Sequence, residues 1–414
     1  MRKIGLAVLL VLAVLGLTVG LLLAQGSGPA KAPAAAAAKT AAAPQAAQAM
    51  AKGHTGKLAA AIAATPKGTG KGQIDMAAKP GFLGIPGAPS LFWVWGFLWA
   101  IWVGWIFSTV GAFGGIMAGV GHITIFGLAD FGKAFKKTSP MMNKLVTDSI
   151  RVSNQWLVGL SALISSTNYY RMGRIVLPLG IFLAIGGVTG SFLVPVLTAG
   201  KIKLSAYIGY FGICVFVIAF VLFRDTTAKG QASKKQAKAA AQAFQESVKA
   251  QQAGGEVSPE MTGTKITHFS LTQVKFTFYG VEFSFNPVWP VLGGFFIAAL
   301  ASFLGIGGGF LFVPFLTNVA GLPMYIVAGT SAVAVLVGMV VSIFSYVVVK
   351  GVPVDFYLVG AELVGIATGS IIGPYTSKYI PDIWLKRLFV LLAIYVGLRY
   401  TSKGFLGFSI VPPF

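Results

Sequence analysis

The residues best suited to handle a solute in this sequence are glycines, hydroxyls and one carboxylate, all set in apolar surroundings. Two glycine blocks recur 194 residues apart, Ser108-x2-Gly111-x2-Gly114-Gly115 and Ser302-x2-Gly305-x2-Gly308-Gly309. A second pair recurs 179 residues apart, Gly186-x2-Thr189-Gly190-Ser191-x3-Pro195 and Gly365-x2-Thr368-Gly369-Ser370-x3-Pro374. A run such as Gly305, Gly307, Gly308 and Gly309 permits backbone dihedrals closed to other residues, so it can end one half-helix and begin another. The new helix start would offer free N–H groups and the positive end of a dipole, where an anion can bind. Thr189, Ser191, Thr368 and Ser370 flank the second blocks. Thr330 and Ser331 open the span after the second glycine run, and Ser153 and Asn154 hold the corresponding place in the first half. Several neutral donors of this kind hold an oxyanion without trapping it. Each feature also has a plainer reading: small residues let membrane helices pack closely, and hydroxyls bond the carbonyls of their own helix.

Glu362 is the clearest ionisable residue inside an apolar span, and its first-half counterpart is Leu183. A lone carboxylate in a membrane segment is costly and usually functional. Burial strengthens a carboxyl's hold on its proton, which makes Glu362 the candidate for proton coupling. His122 could titrate near neutral pH but reads as an interfacial structural histidine. Trp93, Trp95, Trp99, Trp102 and Trp105 crowd one span as interface anchors. The single cysteine, Cys214, reads as a small buried apolar residue. There is no HExxH, GxSxG or phosphate-loop motif, and there are only three histidines. Enzymatic chemistry, a cofactor and a metal site are therefore not expected.

These residues need elements that cross a bilayer. Hydrophobic residues make up 56% of the 414 and charged residues 10%, against about 25% charged in a soluble domain. The expectation is an all-α polytopic membrane protein with two internally duplicated four-span halves and an N-terminal anchor helix. The net charge of +21 lies in linkers and loops. That placement suits lipid headgroups and topology better than nucleic acid, and it could also attract small anions. The chain divides into an anchor or signal (1–24), a disordered Ala/Lys/Pro/Gly tether (25–88), a first transmembrane half (89–223), a polar insertion (224–287), a second half (288–403) and a tail (404–414). The insertion has a helix-forming part, 228–252, and a hairpin-like alternation over 264–285; it reads as an extramembrane cap or a solvated linker.

Spans are expected at roughly 91–127, 152–168, 175–198, 204–223, 288–317, 324–349, 354–376 and 384–400. The first and fifth exceed the ~20 residues of a simple crossing. Each is either a tilted helix broken at glycine or a helix plus a re-entrant piece. With single crossings the basic residues favour a cytoplasmic N-terminus; with hairpins the two halves would be inverted. A basic loop around Lys133, Lys136, Lys137 and Lys144 accounts for most of the difference between the two offsets.

The string Ser302-Phe-Leu-Gly-Ile-Gly-Gly-Gly-Phe-Leu-Phe-Val-Pro314, followed by Ala328-Gly-Thr-Ser331, resembles the TauE/SafE family of sulfite exporters and organosulfonate permeases. The resemblance covers most of residues 91–400 and is more specific in the second half. In the first half Ile116 follows Gly114-Gly115, where the second half has Gly307 to Gly309, and no proline matches Pro314. The resemblance implies a secondary transporter that moves small sulfur oxyanions such as sulfite or sulfonates outward across a bacterial inner membrane. The substrate would bind at the broken helices, with the second half supplying more of the site. A membrane scaffold recruiting a partner through its tether and insertion is the alternative from another class, and a passive anion channel is a third.

Overall fold

The computed structural model describes residues 56–90, 92–111, 113–198, 208–227, 234–253, 263–304 and 308–411. The expected anchor helix, the start of the tether, and Gly305 and Gly307 lie outside these residues. Helices dominate: α1 (Gly56–Ala64), α2 (Trp93–Val110), α3 (Gly114–Val120), α4 (Leu128–Ala134), α5 (Pro140–Arg171), α6 (Leu177–Thr198), α7 (Ile208–Asp225), α8 (Lys235–Gln252), α9 (Val288–Leu304), α10 (Met324–Phe344), α11 (Phe356–Ser377) and α12 (Asp382–Phe405). Between α8 and α9 lies an antiparallel sheet, β1 (Thr264–Phe269), β2 (Val274–Phe278) and β3 (Val281–Phe285), in the order β1-β2-β3.

By length and composition, three described stretches can cross a membrane: Trp93–Val110, Met324–Val349 and Phe356–Ser377. Shorter apolar helices run over Leu177–Ser191, Val288–Ala299 and Gly309–Val319. Large apolar side chains point outward along the bundle, among them Phe220, Phe296, Val364 and Leu391. An apolar surface of that extent suits lipid rather than water.

Both long glycine-broken segments turn back on themselves. After α2, the chain runs over α3 and a π-helical turn, Gly121–Ile125. A Cβ on Gly114 would meet Phe107 and the Val103 carbonyl, and one on Gly121 would meet the Trp99 indole, so this strand of chain retraces α2. After α9 come short helical turns at Gly308–Leu311 and Phe312–Pro314 and a second π-helical turn, Phe315–Val319. There the Phe315 ring lies against Gly293. Single crossings by these two segments, one of the two expectations, are therefore not what the chain forms.

The hairpins enter from opposite ends of the bundle. The first starts and finishes at the end that carries α1, where Leu83 N–H donates to Asp355 at 2.7 Å. The second starts and finishes at the end that carries the sheet, where Lys234 donates to the Thr317 carbonyl at 3.0 Å and to Asn318 at 2.8 Å. Packing between the remaining helices is reciprocal. α2 lies on α11 and α9 on α6; α5 meets α10, and α7 meets α12.

Glycine makes the first two contacts possible. A Cβ at Gly365 would stand 2.3 Å from the Phe97 carbonyl oxygen, and one at Gly369 2.0 Å from that of Ile101. At Gly186 and Gly190 the distances to the Val291 and Phe295 carbonyls would be 1.9 and 2.2 Å. The second glycine blocks thus serve close helix packing.

Residues 56–90 differ from the mobile tether read from composition. They fold over the bundle end: Leu58, Ile62, Ile74, Phe82, Leu83 and Ile85 are buried against Phe126, Phe135, Met142, Val146 and Leu358. Their apolar residues are few, but nearly every large one is buried, and the bundle supplies the other side of the core. The supposed basic loop near 130–151 is also helical. α5 begins at Pro140 behind the N-cap Ser139, whose hydroxyl accepts from Met142 N–H at 3.4 Å. The polar insertion forms a cap. Phe244 of α8 stacks on Phe278, and Thr264 N–H donates to the Gly173 carbonyl at 2.8 Å.

Candidate functional site

The tips of the two hairpins meet inside the bundle. Gly111 has φ +88°, a conformation suited to glycine, and a Cβ there would lie 2.6 Å from Val313 and 3.1 Å from the Ser331 hydroxyl. Phe113 at the first tip packs edge-on against Phe310 at the second, with ring centroids 5.8 Å apart, and against Phe389 of α12. Gly114 and Gly115 open α3, so their N–H groups precede its helical ladder. Gly308 and Gly309 occupy the facing turn.

The hydroxyls named from sequence are mostly engaged elsewhere. Thr189 donates to the Gly186 carbonyl at 2.8 Å, Ser191 to Val188 at 3.0 Å, Thr368 to Val364 at 2.9 Å and Ser331 to Ala328 at 3.1 Å. Each bonds a carbonyl of its own helix, as the plainer reading had it. Thr330 accepts from Val176 N–H at 3.1 Å, which ties α10 to the start of α6. Ser370 pairs with Ser161 at 2.7 Å.

Glu362 is 1% exposed and faces His122, also 1% exposed, across 2.8 Å. Both carboxylate oxygens lie within hydrogen-bond reach of His122 Nε2, at 2.9 and 2.8 Å. Nδ1 of the same ring meets the Asn154 side-chain oxygen at 2.5 Å. Three separate stretches converge here: the π-helical turn of the first hairpin, α5 and α11. Such π-helical turns often mark functional positions. The site therefore takes Glu362 from α11, late in the chain, and its partners from the π-helical turn and α5, 240 and 208 residues earlier. At the offsets of the two glycine-block pairs, 194 residues after His122 and 179 before Glu362, stand Leu316 and Leu183, both fully buried.

A second polar group runs toward the sheet end, and sequence reading missed it. Ser108 and Ser165 share a hydrogen bond of 2.6 Å, and the Tyr169 hydroxyl donates to the Ser108 carbonyl and lies 3.2 Å from Ser377. Arg174 is 1% exposed and donates to the Tyr325 carbonyl at 3.0 Å, the Pro374 carbonyl at 3.1 Å and Ser377 at 3.3 Å. Its guanidinium also lies over the rings of Tyr169, Phe244 and Tyr325, at 4.7, 5.1 and 5.5 Å. Burial lowers its proton affinity, and the neighbouring phenols oppose that shift. The Pro374 carbonyl in the last turn of α11, the Tyr325 carbonyl of α10 and three aromatic faces stabilise this cation. The serines stand on one face of α5 (Ser161, Ser165, with Tyr169 one turn on), a spacing that could have flagged them.

The profile of the sulfite exporter TauE/SafE family matches residues 96–400. The chain belongs to this family. Its members are membrane transporters, so the protein's class is transport rather than enzymatic catalysis. No curated protein and no solved structure matched the chain.

Proposed function

We propose that this TauE/SafE protein is a secondary carrier that exports small oxyanions of the sulfite or organosulfonate type across a bacterial inner membrane. The observation that carries this reading is the meeting of two glycine-tipped hairpins that enter from opposite ends. Chain breaks at the middle of a bundle, paired in this way, are where transporters hold their substrates. The substrate would sit against the backbone of Gly111, Gly114, Gly115, Gly308 and Gly309, with Ser331 alongside. Thr189, Ser191, Thr330, Thr368 and Ser370 would support the helices around it. The reciprocal packing and the matched π-helical turns support a duplicated, inverted arrangement of halves, in which each half could rock against the other.

The test is flux of sulfite and of an alkanesulfonate into proteoliposomes holding the purified full chain. Saturable anion-dependent flux is expected, strongly reduced in Gly309→Leu and Gly308→Leu variants that keep the wild-type melting midpoint. Absence of flux with both anions, or unchanged flux in both variants, would sink the proposal.

A further inference from the structure

We infer that His122, Glu362 and Asn154 form a single proton-binding site that couples proton movement to the position of the first hairpin. The inference rests on the transport reading above and adds the coupling device to it.

The proton count follows from the geometry. The Asn154 oxygen faces Nδ1, so Nδ1 carries a proton and donates. Nε2 faces two carboxylate oxygens, which requires one further proton between the ring and the acid. Whether that proton rests on Nε2 or on Glu362, the pair holds it in common. If it leaves, an Nε2 lone pair opposes a carboxylate across 2.8 Å in a site 1% exposed. Burial makes such an arrangement costly. The proton can then leave only if the contact rearranges. Either the first hairpin draws away from α11, or the remaining proton moves to Nε2 while the Asn154 amide turns to donate to Nδ1. By the first of these routes proton occupancy is linked to hairpin position, and the hairpin's other end is the tip beside Gly309 and Ser331.

The surroundings leave this pair in charge. From α2 come Gly96 and Trp99, both uncharged, and the Trp99 indole N–H is buried without a hydrogen-bond partner. From α5 come Asn154 and, one turn earlier, Arg151, which pairs with Asp148 at 3.3 Å toward solvent. α11 begins with Asp355, whose carboxylate caps the helix and accepts from Leu83. Among the described residues, Glu362 is the charged group that His122 contacts, at 2.8 Å. Leu316 and Leu183, at the positions that correspond to His122 and Glu362, are buried and carry no proton. The proton site is therefore built once, from residues of both halves, and the equivalent pair of positions holds none.

Sulfite titrates near neutral pH, so the probe is ethanesulfonate, whose charge stays fixed. Proteoliposomes would be loaded with ethanesulfonate, and its flux would be followed with and without an imposed pH gradient between about pH 6 and about pH 8, which brackets the histidine range. An entrapped pH dye would report proton movement. The wild type should show gradient-dependent flux changing by about tenfold, a normal size for coupling between sites. Glu362→Gln and His122→Gln should keep a gradient-independent flux and lose that response. Flux in the wild type that ignores the pH gradient, or a response retained in both variants, overturns the inference while leaving the carrier reading intact. Failure of the carrier reading would show instead as no ethanesulfonate flux at all. In that case the protein in detergent decides alone: a carboxyl infrared band that shifts with pH and vanishes in Glu362→Gln is expected, and its absence overturns the site.

Discussion

Replacing Gly186 by alanine tests the closest approach in the fold. The added Cβ would lie 1.9 Å from the Val291 carbonyl oxygen and 2.8 Å from the Phe295 nitrogen. Ordinary contact begins near 3.4 Å, so the shortfall is 1.5 Å (3.4 minus 1.9). Neither a Cβ nor a backbone carbonyl can rotate away, so α6 must move off α9 by about that distance. A gap of about 0.5–1 Å already forfeits a quarter to a half of a contact's attraction. Overpacking of this kind costs about 1–3 kcal/mol, and the rigid backbone here argues for about 3 kcal/mol or more. The neighbouring Gly187 is the internal control. Its Cβ would find Ala298 and Phe312 at 3.9 Å, an ordinary contact, and alanine is the better helix former by up to about 1 kcal/mol. Melting midpoints of the purified variants in detergent should fall by several degrees for Gly186→Ala and hold or rise for Gly187→Ala. The matching pair on the other interface is Gly369→Ala, blocked at 2.0 Å, and Gly360→Ala, which meets nothing within 4 Å. A Gly186→Ala protein that melts with the wild type would refute the packing argument, as would an equal loss in Gly187→Ala.

The remaining expectations concern single anchors. Arg174→Met should lower stability by about 3 kcal/mol, because the buried Tyr325 and Pro374 carbonyls and Ser377 lose a charged donor, and limited proteolysis should then cut the β1–β3 region faster. Ser161→Ala or Ser370→Ala alone should cost about 1–3 kcal/mol, while the double variant recovers much of the loss; a double-mutant cycle on melting stability measures this. Asp355→Ala removes both the α11 N-cap and the acceptor for Leu83 N–H, and should cost about 1–2 kcal/mol while raising amide exchange across residues 82–85. Deleting residues 56–90 should yield an aggregating protein by size-exclusion chromatography, since it uncovers Phe126, Phe135 and Met142. Deleting residues 25–55 is therefore the cleaner discriminator between a carrier, which should keep its flux, and a scaffold.

Much of the framework could be read from the chain itself, and the exceptions share a physical cause. The excessive length of the first and fifth apolar stretches, with glycine at their middles, already required a break. Composition could not say that the chain turns back, because that depends on Gly121 meeting Trp99 and Phe315 meeting Gly293. Glu362 was legible as a lone carboxylate among apolar residues. His122 was not legible as its partner, since 240 residues separate them and neither lies in a shared motif. The helix and hairpin of the insertion showed in its alanine run and in the alternation of Val274, Phe276 and Phe278, while β3 completes the sheet. Residues 56–90 were misread because the sparse Leu58, Ile62 and Phe82 cannot make a core alone; they complete one whose other side is supplied by α4 and α5. The second-block hydroxyls were plausible donors, but Thr189, Ser191 and Thr368 spend their protons on carbonyls of their own helices and Ser370 pairs with Ser161.

The contact that closes each hairpin has a consequence for any attempt to exchange the two. Near α2 the bulky partner is on the outgoing arm, Trp99, and the small one on the return, Gly121; in the other hairpin Gly293 is on the outgoing arm and Phe315 on the return. Both solutions fill the same volume with opposite assignments of large and small. A chimera that joined the outgoing arm of the first to the return arm of the second would press an indole onto a phenyl ring. The reverse chimera would leave two glycines facing a void. The arms are matched as lock and key within each hairpin and mismatched between them, so neither can be replaced by a copied arm of the other without a compensating change at the facing residue.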